Sequence, residues 1–318
     1  MSVDALIYGG LGALFNGLLV GSLYGLMALG LTLIYRVTRI ANFAYAEYIT
    51  YGAYAAGITG LVLVGRAPEP VVILVSAMAA MATGSLVAIA SDELVFKPLW
   101  RRGSEALQLL VASIGVGLVM RYTLLGVAAL TGGRYLEVRF PVLYDKIFTV
   151  GALATFTTAH LLAVASMVAL TVSLHLLFTR TKIGKAMRAT ASNPTLARIS
   201  GINVVAVRRL TWLIAGGLGG FAGFTLSYWN PVNPESGWIT LLWIFAAAIA
   251  GGFTFYGVLV AGFILGLTEN LVGFLAFYYL GLGSEYNPVI ALLSLALVLL
   301  FKPEGIIRME SLVVARRV

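Results

Sequence analysis

Three ionisable side chains, Glu47, Arg121 and Glu269, stand inside long apolar stretches of a 318-residue chain. A charge facing hydrocarbon costs at least ~2.5 kcal/mol, so each is expected to face a partner or a watery path. Two readings stay open for them. One is a structural ion pair of Arg121 with either glutamate; the other is a polar route through the molecule. Glu47 lies in "RIANFAYAEY", residues 39–48, where Asn42 and Tyr45 bring further polar groups beside Phe43. Asn42 is also suited to cap the helix that begins after Arg39. A second kind of chemistry sits in "RTKIGKAMRATASNPTLARISGINVVAVRR", residues 180–209, with seven basic residues and no acid. Enzyme chemistry is not visible. His160 and His175 are lone histidines that read as packed or interfacial. No His, Asp, Glu or Cys cluster has metal-ligand spacing, and there is neither a phosphate-binding loop nor a serine nucleophile elbow. No catalytic residue, metal or cofactor is therefore assigned, and a membrane enzyme is disfavoured.

The elements that must position these residues are membrane spans. The chain is 60% hydrophobic and 11% charged, with mean hydropathy +0.96. Soluble domains carry about a quarter charged residues, so lipid must be the solvent for much of this surface. Apolar segments run over 5–35, 41–64, 71–95, 106–131, 150–178, 210–229, 239–280 and 287–301. Segment 239–280 is too long for one crossing of ~20 residues and is interrupted by "GGFTFYG", residues 251–257. The fold class expected is an all-α, polytopic transmembrane bundle of eight to nine spans, one transmembrane domain over 1–318 with the basic 180–209 stretch within it. The opening "MSVDALIYGG" lacks a basic n-region and reads as the start of a first span rather than a removable signal peptide. Gly17, Gly21 and Gly25 share a helix face, as do Gly216 with Gly220, Gly219 with Gly223 and Gly262 with Gly266. Small residues at this spacing let helices approach closely in lipid.

Charge sets the orientation. Arg36 and Arg39, then Lys97, Arg101 and Arg102, then the 180–209 stretch, then Lys302, Arg308, Arg316 and Arg317 hold sixteen of the 21 Lys and Arg residues. These places are the cytoplasmic side by the positive-inside rule, with the N-terminus outside and the C-terminus cytoplasmic. The net charge of +8 is thereby accounted for without nucleic acid. The absence of cysteine excludes disulfides and leaves the redox compartment open.

The basic stretch is punctuated. An amphipathic piece, "TKIGKAMRAT", is stopped by "SNP" because the residue before proline disfavours helix. Asn193 then suits an N-cap with Pro194 at the first helical position, and Gly201 suits a left-handed stop. Asn203 caps the next helix. The result is a short helix held between two spans, with Leu196 and Ile199 sharing a face near Arg198. It could lie on anionic headgroups or serve as a docking element for a cytoplasmic partner.

Three motifs together resemble the permease subunits of branched-chain amino acid ABC importers, of the LivH type. The family's loop pattern is matched by Gly184, Ala186, Arg188, Ala189, Ala191, Ala197, Gly201 and Ile202. The motif after the first span is present as "ANFAYAE", residues 41–47, with Tyr45 in place of the usual His and Ala46 in place of Gly. The ending "LLFKPEGI" also fits, and the likeness runs over essentially the whole chain. The resemblance implies that Gly184, Lys185, Ala186, Arg188, Asn193, Pro194, Ala197, Arg198 and Gly201 belong to a coupling element. That element would dock on two cytoplasmic ABC ATPase subunits. A second, LivM-like permease and an extracytoplasmic substrate-binding protein would complete the assembly in the cell inner membrane. Asn42, Phe43, Tyr45, Glu47, Arg121 and Glu269 are the candidates for the translocation pathway, without chemistry on the solute. The departures at Tyr45 and Ala46 bear on substrate, since related permeases carry urea or short amides. A stand-alone ion-coupled secondary transporter, with Glu47, Arg121 and Glu269 as coupling residues, is the second function class.

Overall fold

The computed structural model describes residues 3–133, 135–142, 145–151, 154–283 and 286–301. With no water in a bilayer core, the backbone must satisfy its own hydrogen bonds, and the apolar runs accordingly become helices. They are α1 (Val3–Thr38), α2 (Tyr45–Leu63), α3 (Glu69–Ser91), α4 (Lys97–Arg101), α5 (Ala106–Leu130) and α6 (Thr158–Arg180). They continue as α7 (Lys182–Ser192), α8 (Pro194–Ile199), α9 (Val204–Trp229), α10 (Ser236–Ala250), α11 (Phe255–Leu280) and α12 (Asn287–Phe301). A π-helical turn, Asp92–Phe96, joins α3 to α4.

Among the described residues, six helical runs are long and apolar enough to cross a membrane: Leu6–Thr38, Glu69–Arg101, Ala106–Leu130, Thr158–Arg180, Val204–Trp229 and Phe255–Leu280. This is fewer than the eight to nine expected. The α2 helix carries Glu47 and four tyrosines in its 19 residues, which dilutes its hydropathy. The α10 helix has 15 residues and spans about 22 Å, short of the ~30 Å hydrocarbon thickness. The long segment 239–280 does split where expected. Gly252 and Phe253 adopt left-handed φ values of 60° and 50°, and Thr254 caps α11 by accepting from the Gly257 amide at 3.0 Å. The segment expected at 150–178 is helical only from Thr158. Before it, β1 (Lys146–Val150) and β2 (Ala154–Thr157) form an antiparallel hairpin of β-branched and aromatic residues. Arg134, Ser284, Glu285 and the closing Lys302, Arg308, Arg316 and Arg317 lie outside the described residues, as does "LLFKPEGI" from Lys302 onward.

The chain divides into two compact units. The first takes in the described residues within Met1–Ala28, Tyr144–Thr171 and Trp243–Val318. Its packing rests on the expected glycine faces of α1 and α11. A Cβ on Gly21 would stand 2.8 Å from the Gly262 carbonyl oxygen and 2.9 Å from the Phe263 Cα, so the two backbones touch. The hairpin packs on α1 through aromatic edges, with Phe15 centred 5.8 Å from Phe148 and 5.5 Å from Phe156.

The second unit takes in the described residues within Leu29–Leu143 and Val172–Leu242. Its centre is the mutual packing of α2, α3 and α9. A Cβ on Gly52 would come within 2.7 Å of the Gly220 carbonyl oxygen, and one on Gly84 within 2.8 Å of the Gly220 Cα. Three backbones therefore converge near Gly220. Beside them α5 is fastened to α2 by Tyr51, whose hydroxyl donates to the Met120 carbonyl at 2.9 Å. Val138 and Val232 form a two-way backbone bridge at 2.8 Å that ties two connecting segments together.

Substitution separates packing from propensity. Gly21→Ile should lower the melting temperature of the purified chain in detergent, at an overpacking cost of about 1–3 kcal/mol. Gly115→Ala, at a helical position with nothing within 4 Å of the new Cβ, should leave it unchanged or slightly raised.

Candidate functional site

The second unit holds three buried polar clusters. The first surrounds the start of α2. The chain enters that helix through a turn in which the Tyr45 amide donates to the Asn42 carbonyl at 3.3 Å and the Glu47 amide to the Ala44 carbonyl at 3.0 Å. The N-cap position is Ala44, and Asn42 is not the cap expected. Its amide is committed elsewhere, donating to the Tyr48 hydroxyl at 3.2 Å. The Phe43 amide donates to Ser113 Oγ of α5 at 3.0 Å. Tyr45 is fully buried against Gly219, its ring 5.8 Å from that of Tyr48. Asn42 Oδ1, Tyr45 Oη and Trp212 Nε1 are buried without a hydrogen-bond partner.

The second cluster joins α2, α5 and α10. Arg121 Nε lies 3.6 Å from Glu47 Oε1, and the guanidinium sits 4.4 Å from the centre of the Trp238 ring. Glu47 is 2% exposed and Arg121 8%. The pair is loose: Glu47 Oε2, Arg121 Nε and Arg121 Nη2 lack hydrogen-bond partners. Each unmade hydrogen bond of a buried polar group costs roughly 1–3 kcal/mol. Glu269, in the first unit, is not paired with arginine; it accepts from the Tyr24 hydroxyl at 2.8 Å, and Tyr24 stacks on Trp243.

The third cluster lies at the π-helical turn. Arg208 of α9 binds Asp92 with two nitrogens, Nε at 2.9 Å and Nη2 at 2.5 Å from Oδ1, and Nε also reaches Oδ2 at 3.1 Å. Both partners are buried, and the guanidinium lies 5.3 Å from the Trp100 ring centre. One residue further along each chain segment, Glu93 pairs with Arg209 and with Lys97.

The 180–209 loop folds as punctuated. Thr181 caps α7 by accepting from the Gly184 amide at 2.9 Å, while its hydroxyl donates to the Leu177 carbonyl at 2.6 Å. Gly184 rests on the main chain of Leu177 and Phe178, where any side chain would collide. Arg39 reaches the Ala191 carbonyl near the end of α7 at 3.5 Å. Asn193 caps α8, accepting from the Leu196 amide at 2.9 Å, with Pro194 in the first turn. Gly201 stops it at φ 82°, and the Ile202 amide closes back on the Ala197 carbonyl at 3.0 Å. Asn203 caps α9 through the Ala206 amide. Ala197 faces inward at 3% exposure, whereas Leu196 and Ile199 are 59% and 78% exposed. Lys185 and Arg198 are also exposed, and Ala186 and Arg188 are half-buried.

The profile of the family described as a branched-chain amino acid transport system / permease component matches residues 13–301. The chain belongs to this family. It is 33% identical over 302 residues to a probable branched-chain amino acid transport permease protein LivH of Methanocaldococcus jannaschii, covering 92% of this chain and 90% of that one. It is 30% identical over 311 residues to the high-affinity branched-chain amino acid transport system permease protein BraD of Pseudomonas aeruginosa, covering 95% and 96%. It is 28% identical to LivH of Escherichia coli over 92% of this chain and 94% of that one. It is thus a multi-span membrane permease.

Sequence reasoning passed over Asp92 and Glu93 of this permease and counted Arg208 and Arg209 with the other cations of the loop. The signal was present: the adjacent acids "DE" close one apolar segment and the adjacent bases "RR" open another. With Arg208 buried on Asp92 and the exposed Arg209 paired with Glu93, the other exposed cations of the stretch are Arg180, Lys182, Lys185 and Arg198. Among the described residues no group of three or more His, Asp or Glu side chains could hold a metal ion.

Removing one partner of a buried pair leaves the other uncompensated. Arg208→Gln should destabilise this permease by about 3–5 kcal/mol, read as a lower melting temperature in detergent. Arg209→Gln, in a solvated pair, should leave the melting temperature within error.

Proposed function

We propose that this permease is one half of the transmembrane conduit of an ATP-binding-cassette importer, moving branched-chain amino acids across the cytoplasmic membrane by alternating access. The whole chain, 1–318, acts as one permease domain with its N-terminus outside and the 180–209 loop in the cytoplasm. ATP hydrolysis belongs to two separate ATPase subunits. A second, LivM-like permease completes the conduit, and an extracytoplasmic binding protein delivers the amino acid. Solute passes near Asn42, Phe43, Tyr45, Glu47, Arg121 and Glu269.

The substrate reading is supported by the names of the relatives, which span nearly the full chain. The coupling reading is carried by α8. This six-residue helix is capped at both ends and turns Leu196 and Ile199 outward while Ala197 packs inward. A loop that only needed to be basic would not require such rigidity. Apolar residues presented by a stiff knob, with Arg198 on the same short helix and Lys185 and Arg188 on the helix before it, suit a groove on a protein partner. ATP-driven closure of the ATPases would pull this knob, and its caps would pass the movement to α7 and α9. Gly184 and Gly201 allow the close packing and the sharp stop that hold it.

Proteoliposomes test the reading. The complete complex, with binding protein outside and ATP inside, should accumulate labelled leucine, and this chain alone should move none under an ion gradient. Arg188→Glu with Arg198→Glu should abolish uptake and copurification of the ATPases while the chain itself still folds. Normal uptake by that variant would remove the coupling assignment. Ion-driven uptake by the chain alone would favour a secondary transporter.

A further inference from the structure

The loose pair of Glu47 and Arg121 leaves more polar capacity unused than a structural ion pair should. Buried ion pairs recover their desolvation cost through close, hydrogen-bonded geometry. Here the nearest approach is 3.6 Å, and Glu47 Oε2, Arg121 Nε and Arg121 Nη2 remain unpartnered. Both side chains are more than nine-tenths buried. The ring of Trp238 covers the guanidinium at 4.4 Å, yet Trp238 itself is 46% exposed, so this wall of the cluster opens away from the core.

The charges restrict what can enter. A lone anion drawn to Arg121 would be set against Glu47. A lone cation drawn to Glu47 would be set against Arg121. A zwitterion satisfies both and leaves the net charge of the cluster unchanged. The guanidinium fork suits a carboxylate, and a carboxylate oxygen suits an ammonium. Glu47 is the third residue of α2, where the helix dipole favours its negative form.

We propose that Arg121, Glu47 and Trp238 form a seat for the α-carboxylate and α-ammonium of an amino acid. Arg121 takes the carboxylate through Nε and Nη2, Glu47 takes the ammonium through Oε2, and Trp238 holds the guanidinium plane in place. The seat reads the backbone of the amino acid and leaves its side chain unread. It rests on the permease reading above and adds to it the groups that touch the solute.

The experiment is equilibrium binding to the purified complex of both permeases and both ATPases, without binding protein or nucleotide. The probes are leucine, leucinamide, which lacks the carboxylate charge, and 4-methylpentanoate, which lacks the amine. Leucine should bind at least about tenfold more tightly than either analogue, the scale of one charged hydrogen bond. Arg121→Gln should weaken leucine by at least about tenfold and leave leucinamide as tight or tighter, since the charge set against its ammonium is gone; Glu47→Gln should weaken leucine similarly and leave 4-methylpentanoate as tight or tighter. Trp238→Ala, at a half-exposed position where folding is not at stake, should weaken leucine and 4-methylpentanoate more than leucinamide. A structural pair would instead lower all three ligands together. Equal wild-type affinities, no detectable leucine binding, or variants that weaken all three ligands alike would overturn the seat. ATP-driven leucine uptake by the wild-type complex separates the two levels. Uptake alongside any of those results removes the seat and leaves the permease reading standing, while absence of uptake removes the permease reading itself.

Discussion

Backbone-to-backbone contact at Gly220 is the constraint on which the second unit depends. The α2, α3 and α9 helices can converge only because Gly52, Gly84 and Gly220 carry no side chains where the main chains meet. In lipid there is no hydrophobic gain from joining two apolar helices, so association must come from close packing and polar contact. That convergence buries the first turn of α2 and with it Asn42, Tyr45 and Glu47. It also draws the π-helical turn at Asp92 against α9, where Arg208 meets it. The polar clusters are therefore consequences of the glycine contact. They sit at fixed positions because the helices have no freedom to slide.

The two arginine–carboxylate contacts in this unit differ in kind. Arg208 and Asp92 are joined by three short hydrogen bonds and flanked by Trp100 and Trp212. That geometry recovers the cost of burial and belongs to a structural joint. It stands on the first turns of α9, only a few residues beyond the capped α8 helix, so a movement at α8 has a rigid route to α3. Arg121 and Glu47 are buried as deeply but make no hydrogen bond to each other. Uncompensated burial of this kind persists where something else uses the groups.

Much of the chain was legible in its sequence because lipid imposes simple rules. Length, hydropathy and glycine spacing located the helices, and the N-caps at Asn193 and Asn203 and the stop at Gly201 formed as their side chains dictate. The misses share a physical cause. Asn42 has the right chemistry for a cap, but α2 starts only at Tyr45 with Ala44 at the cap position, so Asn42 lies too early to cap it and its side-chain amide donates to Tyr48 instead. Segment 150–178 is apolar throughout, and hydropathy cannot tell that its first residues pair as a strand. The adjacent acids Asp92 and Glu93 and the adjacent bases Arg208 and Arg209 are visible in the sequence, but they lie 116 residues apart and nothing local says that they meet. Glu47 with Arg121 was one of two pairings left open, and only the packing of α2 on α5 decided between them.

The central claim is that α8 is the point at which an external motor takes hold of this permease. The chain contains no cysteine, so a single introduced thiol reports on one position alone. The most direct measurement is cross-linking from Ile199→Cys in the assembled complex, with Ala197→Cys as the inward-facing control. The account requires that Ile199→Cys cross-link to an ATPase subunit with a yield that changes on ATP binding, and that Ala197→Cys not do so. Equal yields at the two positions, or cross-linking of Ile199→Cys to no ATPase subunit, would contradict it.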